Sequence, residues 1–193
     1  RQVVDSKMFA IGHQPRQATE WIRTRTGIES RHISIKENTS DLAYESAKRA
    51  CDMAGVTTES VELIICATLT PDYFTPSTAC VVQDLLGAKN AVAFDINAAC
   101  SGFVYAITVA KQFIASGVYK NAVVIGSETL SKLLDWDDRT TCVLFGDGAG
   151  AVYLEQSQDE LGVGTSILHA DGSKRELLVS DAMPVRNECV SHA

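Results

Sequence analysis

Three short apolar runs, VELIICATL (61–69), NAVAFDI (90–96) and NAVVIGS (121–127), each read as a buried strand, and the segments between them carry helical patterns. PSTACVVQDLLG (76–87) has Pro76 near its start and Gly87 at its end, and residues 100–117 place apolar side chains at 103, 104, 106, 107, 109, 110, 113 and 114. Upstream, NTSDLAYESAKRACDMAG offers Asn38, Thr39 or Ser40 as a helix N-cap and Gly55 as a stop. Strands alternating with helices demand parallel, right-handed crossovers. The pattern then changes: in TCVLFGDGAGAVYLEQ, Asp147-Gly148 between two apolar runs predicts a hairpin, and LGVGTSILHADGS predicts one more strand. The expected class is α/β, a mostly parallel sheet with an antiparallel extension. Residues 1–19 and 181–193 show no clear period and receive no element.

Bulk properties exclude several functions. A net charge of −7 disfavours a nucleic-acid surface, which needs clustered Lys and Arg. The densest basic stretch, RTRTGIESRH with Arg23, Arg25 and Arg31, suits a small phosphorylated ligand instead. Six cysteines with no CxxC pair, no visible signal peptide and enough length to bury a core predict reduced thiols in a cytoplasmic protein. The four histidines, at 13, 32, 169 and 192, lack close ligand partners, so no metal site is expected, and no apolar run is long enough for a transmembrane helix.

Cys100, in DINAACSGF, stands where a strand gives way to a helix. A helix N-terminus favours a thiolate, and Ala98, Ala99, Ser101 and Gly102 leave room for a substrate carbonyl, toward which the Cys100 N–H could donate. Strand, sharp turn, nucleophile and helix is also the arrangement of the serine-hydrolase elbow. A cysteine among alanines also fills a small buried space, and spacing alone leaves both readings open. Cys51, Cys66, Cys80 and Cys142 lie in apolar runs and read as packing.

WIRTRTGIESRH, PSTAC, FDINAACSGFVYA, DDRTTCVLFGDGAGA and LHADGS occur in an order and spacing that resembles β-ketoacyl-acyl-carrier-protein synthase III, the initiating condensing enzyme of type II fatty acid synthesis. The resemblance covers residues 20–178 and implies a thiolase-like half-domain, βαβαβαββ, with residues 1–19 and 179–193 unmatched and the second thiolase-like half absent. It implies that Cys100 takes an acyl group from acyl-coenzyme A, the thioester then being attacked by decarboxylated malonyl-acyl-carrier protein. Trp21, Arg25 and Arg139 match coenzyme A contacts, Leu144 and Phe145 the acyl pocket, and Thr75 a site that reaches across a homodimer into the partner's pocket. There a small Thr would admit a longer or branched primer. No permanently bound cofactor is implied; acyl-coenzyme A is a substrate.

The family's second half supplies a His and an Asn for the malonyl carbanion, and no residue here stands in a matching context; His169 and His32 belong to first-half motifs. The Gly-containing first strand of the family is also missing. A non-catalytic, truncated thiolase-fold module for dimerisation or partner binding is therefore the alternative, and a cysteine hydrolase or thioesterase a weaker one. A lone half also leaves one apolar layer to be covered.

Overall fold

Strand β3 (Leu63–Ala67) has every residue buried, which requires cover on both faces of the sheet it belongs to. The computed structural model describes residues 2–5, 15–157 and 162–180. It places β3 beside β4 (Val92–Ile96) and β5 (Asn121–Thr129), both parallel to it, and sets β6 (Asp147–Glu155) antiparallel to β5, in the order β4-β3-β5-β6. This is the mostly parallel sheet with an antiparallel extension that the sequence predicts.

The period of two along β3 divides the core. Ile64 and Cys66 face helix α2 (Thr39–Ala54) and helix α3 (Thr78–Leu85), packing with Ala43, Ala47, Ala79 and Val82. Leu63, Ile65 and Ala67 face helix α4 (Gly102–Ala115), packing with Ala106, Ala110 and Ile114. Fully burying side chains such as Ile64, Ile65 and Ile125 contributes about 1.5–3 kcal/mol each. The chain steps from β3 outward to β4 through α3, then back across β3 to β5 through α4. A reversal of direction with right-handed crossovers puts the two helices on opposite faces, as observed. The run α2-β3-α3-β4-α4-β5-β6 supplies every element of βαβαβαββ after its first strand.

The helix expected after residue 38 is present. Asn38 is its N-cap, the Asp41 carboxylate accepts the Asn38 N–H at 2.8 Å, and Gly55 closes it in the left-handed conformation at φ 70°. Three elements were not anticipated. Helix α1 (Pro15–Thr26) starts on a proline and ends before Gly27 at φ 71°, and β2 (Ser30–Ile33) pairs antiparallel with β1 (Gln2–Asp5). These lie in or beside the segment whose sequence shows no clear period.

Two strand expectations are corrected. Asp147-Gly148 is not a hairpin turn: the two residues open β6, opposite Thr129 and Glu128 of β5. Residues 141–146 ahead of them form turns held onto β2 and α1, so they cannot serve as the partner strand. Residues 162–171 form no strand. They are mostly exposed and are tethered by side chains, Lys111 Nζ donating to the Gly164 carbonyl at 2.8 Å and Tyr105 to that of His169 at 3.5 Å. The segment pairs with neither β4 nor β6, the terminal strands of the sheet, and an apolar run without a ladder partner does not form a strand. The unpatterned end 181–193 and residues 6–14 lie outside the described residues.

Candidate active site

Cys100 lies beyond the carboxyl end of β4, the edge of an open parallel sheet at which α/β folds place their ligands. The helix expected from residue 100 begins two residues later. Ala99–Ser101 form a single tight turn, and α4 starts at Gly102. The residue before the thiol, Ala99, has φ 45°, a left-handed conformation costly for any side chain, and the Asn97 side-chain oxygen accepts its N–H at 3.3 Å. The turn leaves Cys100 exposed. Gly102 is needed for the close seating of the helix: a Cβ there would stand 3.2 Å from the Ala67 Cβ of β3.

Asp95, on the strand leading into this turn, accepts the N–H groups of Thr78 and Ala79, each at 2.7 Å. The carboxylate fills the N-terminus of α3 and fixes the end of β4 against it.

The Cys100 turn opens on a cavity of about 310 Å³ whose lining includes Leu69, Phe103, Glu128 and Leu130. Its remaining wall is the small-residue start of β6, Gly148-Ala149-Gly150, set opposite Glu128, Ser127 and Gly126. The GDGAGA motif thus makes space by having few side chains. Glu128 accepts the Leu69 N–H at 2.8 Å, the Thr70 N–H at 3.1 Å, the Thr68 hydroxyl at 3.3 Å and the Thr70 hydroxyl. Neither described histidine, His32 or His169, lines the cavity; both are exposed. Among the described residues no three His, Cys, Asp or Glu side chains gather as metal ligands. Nor is any described helix long and apolar enough to cross a membrane.

A second cluster assembles the basic residues. On α1 the Arg25 guanidinium lies 4.9 Å from the ring centroid of Trp21, and both side chains are exposed. Between them in sequence, Ile22 is fully buried against Cys142 and Val143, which brings α1 against the 138–145 segment that carries the exposed Arg139. That segment is held from three sides. The buried Arg31 donates to the Val143 carbonyl, a Cβ on Gly146 would meet the His32 carbonyl at 3.1 Å, and Asp147 accepts from Ser34 N at 2.7 Å and from Ser131 N at 2.8 Å. Burial pulls the Arg31 guanidinium below its usual value. The Asp138 carboxylate orders the turn around Arg139, accepting the Thr140 hydroxyl at 2.6 Å and the Thr141 hydroxyl at 2.9 Å, and these bonds hold its pKa below the ordinary carboxylate value.

Leu144 is exposed and Phe145 half-buried on that same segment, while Thr75 is exposed in the loop before α3, beside an 82% exposed Phe74. None of these three residues is part of the Cys100 cavity lining. Leu69, Phe103, Glu128 and Leu130 were missed from sequence. The signal that would have found them is positional, since each follows the carboxyl end of a parallel strand or stands at it.

A family profile for 3-oxoacyl-[acyl-carrier-protein (ACP)] synthase III matches residues 94–172. The chain is 58% identical over 168 residues to the β-ketoacyl-[acyl-carrier-protein] synthase III of Clostridium perfringens, covering 87% of this chain and 52% of that protein. It is 56% identical over 169 residues to the synthase III of Xylella fastidiosa, again covering 87% and 52%. Among solved structures it resembles 3-oxoacyl-[acyl-carrier-protein] synthase III from Aquifex aeolicus, with 49% identity, a TM-score of 0.78 and coverage of 83% and 51%. It likewise resembles the Thermus thermophilus synthase III, with 34% identity, a TM-score of 0.88 and coverage of 98% and 58%. The chain spans about half the length of the curated relatives it matches. On its sequence and its thiolase fold, the chain belongs to the β-ketoacyl-acyl-carrier-protein synthase III family, as the N-terminal part of a synthase III-like chain.

Proposed function

We propose that this chain carries the acyl-loading half of a β-ketoacyl-acyl-carrier-protein synthase III reaction. The observation that carries the reading is the exposed Cys100 thiol in the tight turn just before α4, opening on a cavity large enough for a short acyl chain. The Cys100 sulfur, as thiolate, attacks the carbonyl carbon of acyl-coenzyme A. The carbon–sulfur bond to coenzyme A breaks, and coenzyme A leaves with the proton that the cysteine gave up. The product is an acyl thioester on Cys100.

Trp21 and Arg25 supply an aromatic face and a guanidinium for the nucleotide end of coenzyme A, and Arg139 a second cation from the neighbouring segment. By the family resemblance Leu144 and Phe145 belong to the acyl pocket and Thr75 to a site that reaches across the dimer into the partner's pocket. In the condensing step malonyl-acyl-carrier protein loses carbon dioxide, and its carbanion takes the acyl group, returning the thiol. By family resemblance the His and Asn for that step stand in the second half of a whole-length protein.

The assembly proposed is a cytoplasmic homodimer. Among the described residues β4 is a sheet edge with no strand on its outer side, and Val92 on it, Leu85 on α3 and Phe74 in the loop before α3 are exposed apolar side chains. A non-catalytic module has less in its favour, because Cys100 is both exposed and part of the cavity lining, whereas Cys66 is buried and Cys80, expected from sequence to be packed, is exposed but outside that lining. The test is release of free coenzyme A from acetyl-coenzyme A in a single turnover, followed by chromatography. Stoichiometric release that disappears in Cys100→Ala supports the reading, and release that survives the substitution contradicts it.

A further inference from the structure

The turn after β3 is fastened more firmly than a surface loop needs. Glu128 takes four donors from Thr68, Leu69 and Thr70, while from the other side the buried Thr39 hydroxyl donates to the Thr70 carbonyl at 2.6 Å. Thr39 also shares a hydrogen bond with Thr129 at 2.8 Å, and Thr129 N donates to the Thr70 hydroxyl at 2.9 Å. The turn is thereby tied to both the end of β5 and the start of α2. Its middle residue, Leu69, is half-buried and lines the cavity that holds Cys100, across from glycines and alanines that cannot fill space.

We propose that Leu69 is the gauge that sets how long an acyl chain the Cys100 cavity accepts, and that Glu128 is the positioning residue that keeps the gauge in place. The inference rests on Cys100 being the acylated thiol. A floor of small residues gives a fixed depth, so the large lining side chains decide the remaining length, and Leu69 is the one carried on the tethered turn. A wall held by five hydrogen bonds from protein groups cannot retreat to admit a longer chain. Glu128 touches no reacting atom in this scheme. A glutamine in its place would turn one acceptor oxygen into a donor facing N–H groups, and the wall would loosen.

The test separates the gauge from the loading reaction. The 193-residue chain is treated with methyl and octyl methanethiosulfonate, in which the Cys100 thiolate attacks the sulfenyl sulfur, a mixed disulfide forms and methanesulfinate leaves. The rate at Cys100 is read by peptide mapping. Leu69→Ala is expected to raise the octyl-to-methyl rate ratio about tenfold, the scale of a methylene-sized change of fit in an apolar pocket. Leu69→Phe, which keeps the site filled, is expected to lower the ratio, and Glu128→Gln to raise it while Glu128→Asp restores part of the selectivity. An unchanged ratio in both Leu69 variants, with far-ultraviolet circular dichroism unaltered, overturns the inference. If the ratios move as expected but acyl-coenzyme A leaves no adduct on Cys100, Leu69 does size the cavity, but the loading reaction, and with it the acyl role of the gauge, is wrong. If the adduct forms and the ratios do not move, the gauge is wrong and the loading reaction stands.

Discussion

The Arg25 guanidinium stacks over the indole of Trp21, 4.9 Å from its ring centroid, one turn along the same exposed helix face. The pair forms a flat cationic surface without any substrate present. If it binds the nucleotide end of coenzyme A, Arg25→Ala or Trp21→Ala should weaken acyl-coenzyme A binding about 10- to 100-fold, the loss expected for a charge-assisted contact. Loading from acyl-N-acetylcysteamine, which has no nucleotide, should be unaffected. Equal losses with both donors would contradict the assignment.

Cysteine reactivity should follow exposure. Cys100 and Cys80 are exposed, whereas burial raises the thiols of Cys51, Cys66 and Cys142 above their usual value. Brief iodoacetamide treatment at neutral pH should label Cys100 and Cys80 and spare Cys51, Cys66 and Cys142, since each pKa unit removes about tenfold of the thiolate. Early labelling of Cys66 in the folded protein, followed by peptide mapping, would contradict the packing of β3 described above.

Asp147 is predicted to be a stability residue. It accepts from Ser34 N, Ser131 N and the Ser131 hydroxyl, the last at 2.6 Å. Asp147→Asn turns one acceptor into a donor and should cost about 2–3 kcal/mol in urea unfolding. A loss below about 0.5 kcal/mol would place the organisation of the 138–146 segment elsewhere.

Two carboxylates give a pH signature. The Ser34 hydroxyl, donating at 2.7 Å, holds Glu37 down at about 2, and the Thr140 and Thr141 hydroxyls hold Asp138 below its ordinary 3.8. A depressed folded-state pKa means that the contribution to stability is present above the unfolded value and lost as pH falls through the folded one. The turn bearing Arg139 should therefore keep its amide chemical shifts down to about pH 4 and change them only below that. Changes in Thr140 and Thr141 that begin near pH 5 would contradict the hydrogen bonding.

The left-handed Ala99 predicts an asymmetric response. Ala99→Gly should leave stability unchanged or raise it by up to about 1 kcal/mol, because glycine adopts this conformation freely. Ala99→Val should lower it by about 1–2 kcal/mol and displace Cys100, seen as a change in its alkylation rate.

Much of the sheet was legible in the sequence because its residues obey local rules. Leu63–Ala67 is apolar without interruption, Pro76 and Gly87 bracket α3, and Asn38 and Gly55 bracket α2. The failures occur where distant residues decide. Asp147-Gly148 has the composition of a hairpin turn, yet Ser34 and Ser131 claim the carboxylate and leave the pair at the head of β6. Residues 162–171 carry the apolar residues of a strand but are tethered by Lys111 and Tyr105 and pair with neither β4 nor β6.

The candidate site divides in the same way. Cys100 was legible because a strand end, small residues and a helix start are adjacent in sequence. Glu128 and Leu69 were not, because their meeting depends on β3 and β5 lying side by side, a pairing across about sixty residues. The approach of α1 to the Arg139 segment depends on Ile22, an apolar residue in a mostly polar helix, and so left little trace in the sequence pattern.

The central claim is that Cys100 is an acyl acceptor, and intact-mass analysis with peptide mapping after incubation with acetyl-coenzyme A tests it most directly. The account predicts a gain of one acetyl group on the peptide containing Cys100, reversed by hydroxylamine and absent in Cys100→Ala. No adduct on Cys100, or an adduct that forms equally on Cys80, would contradict it.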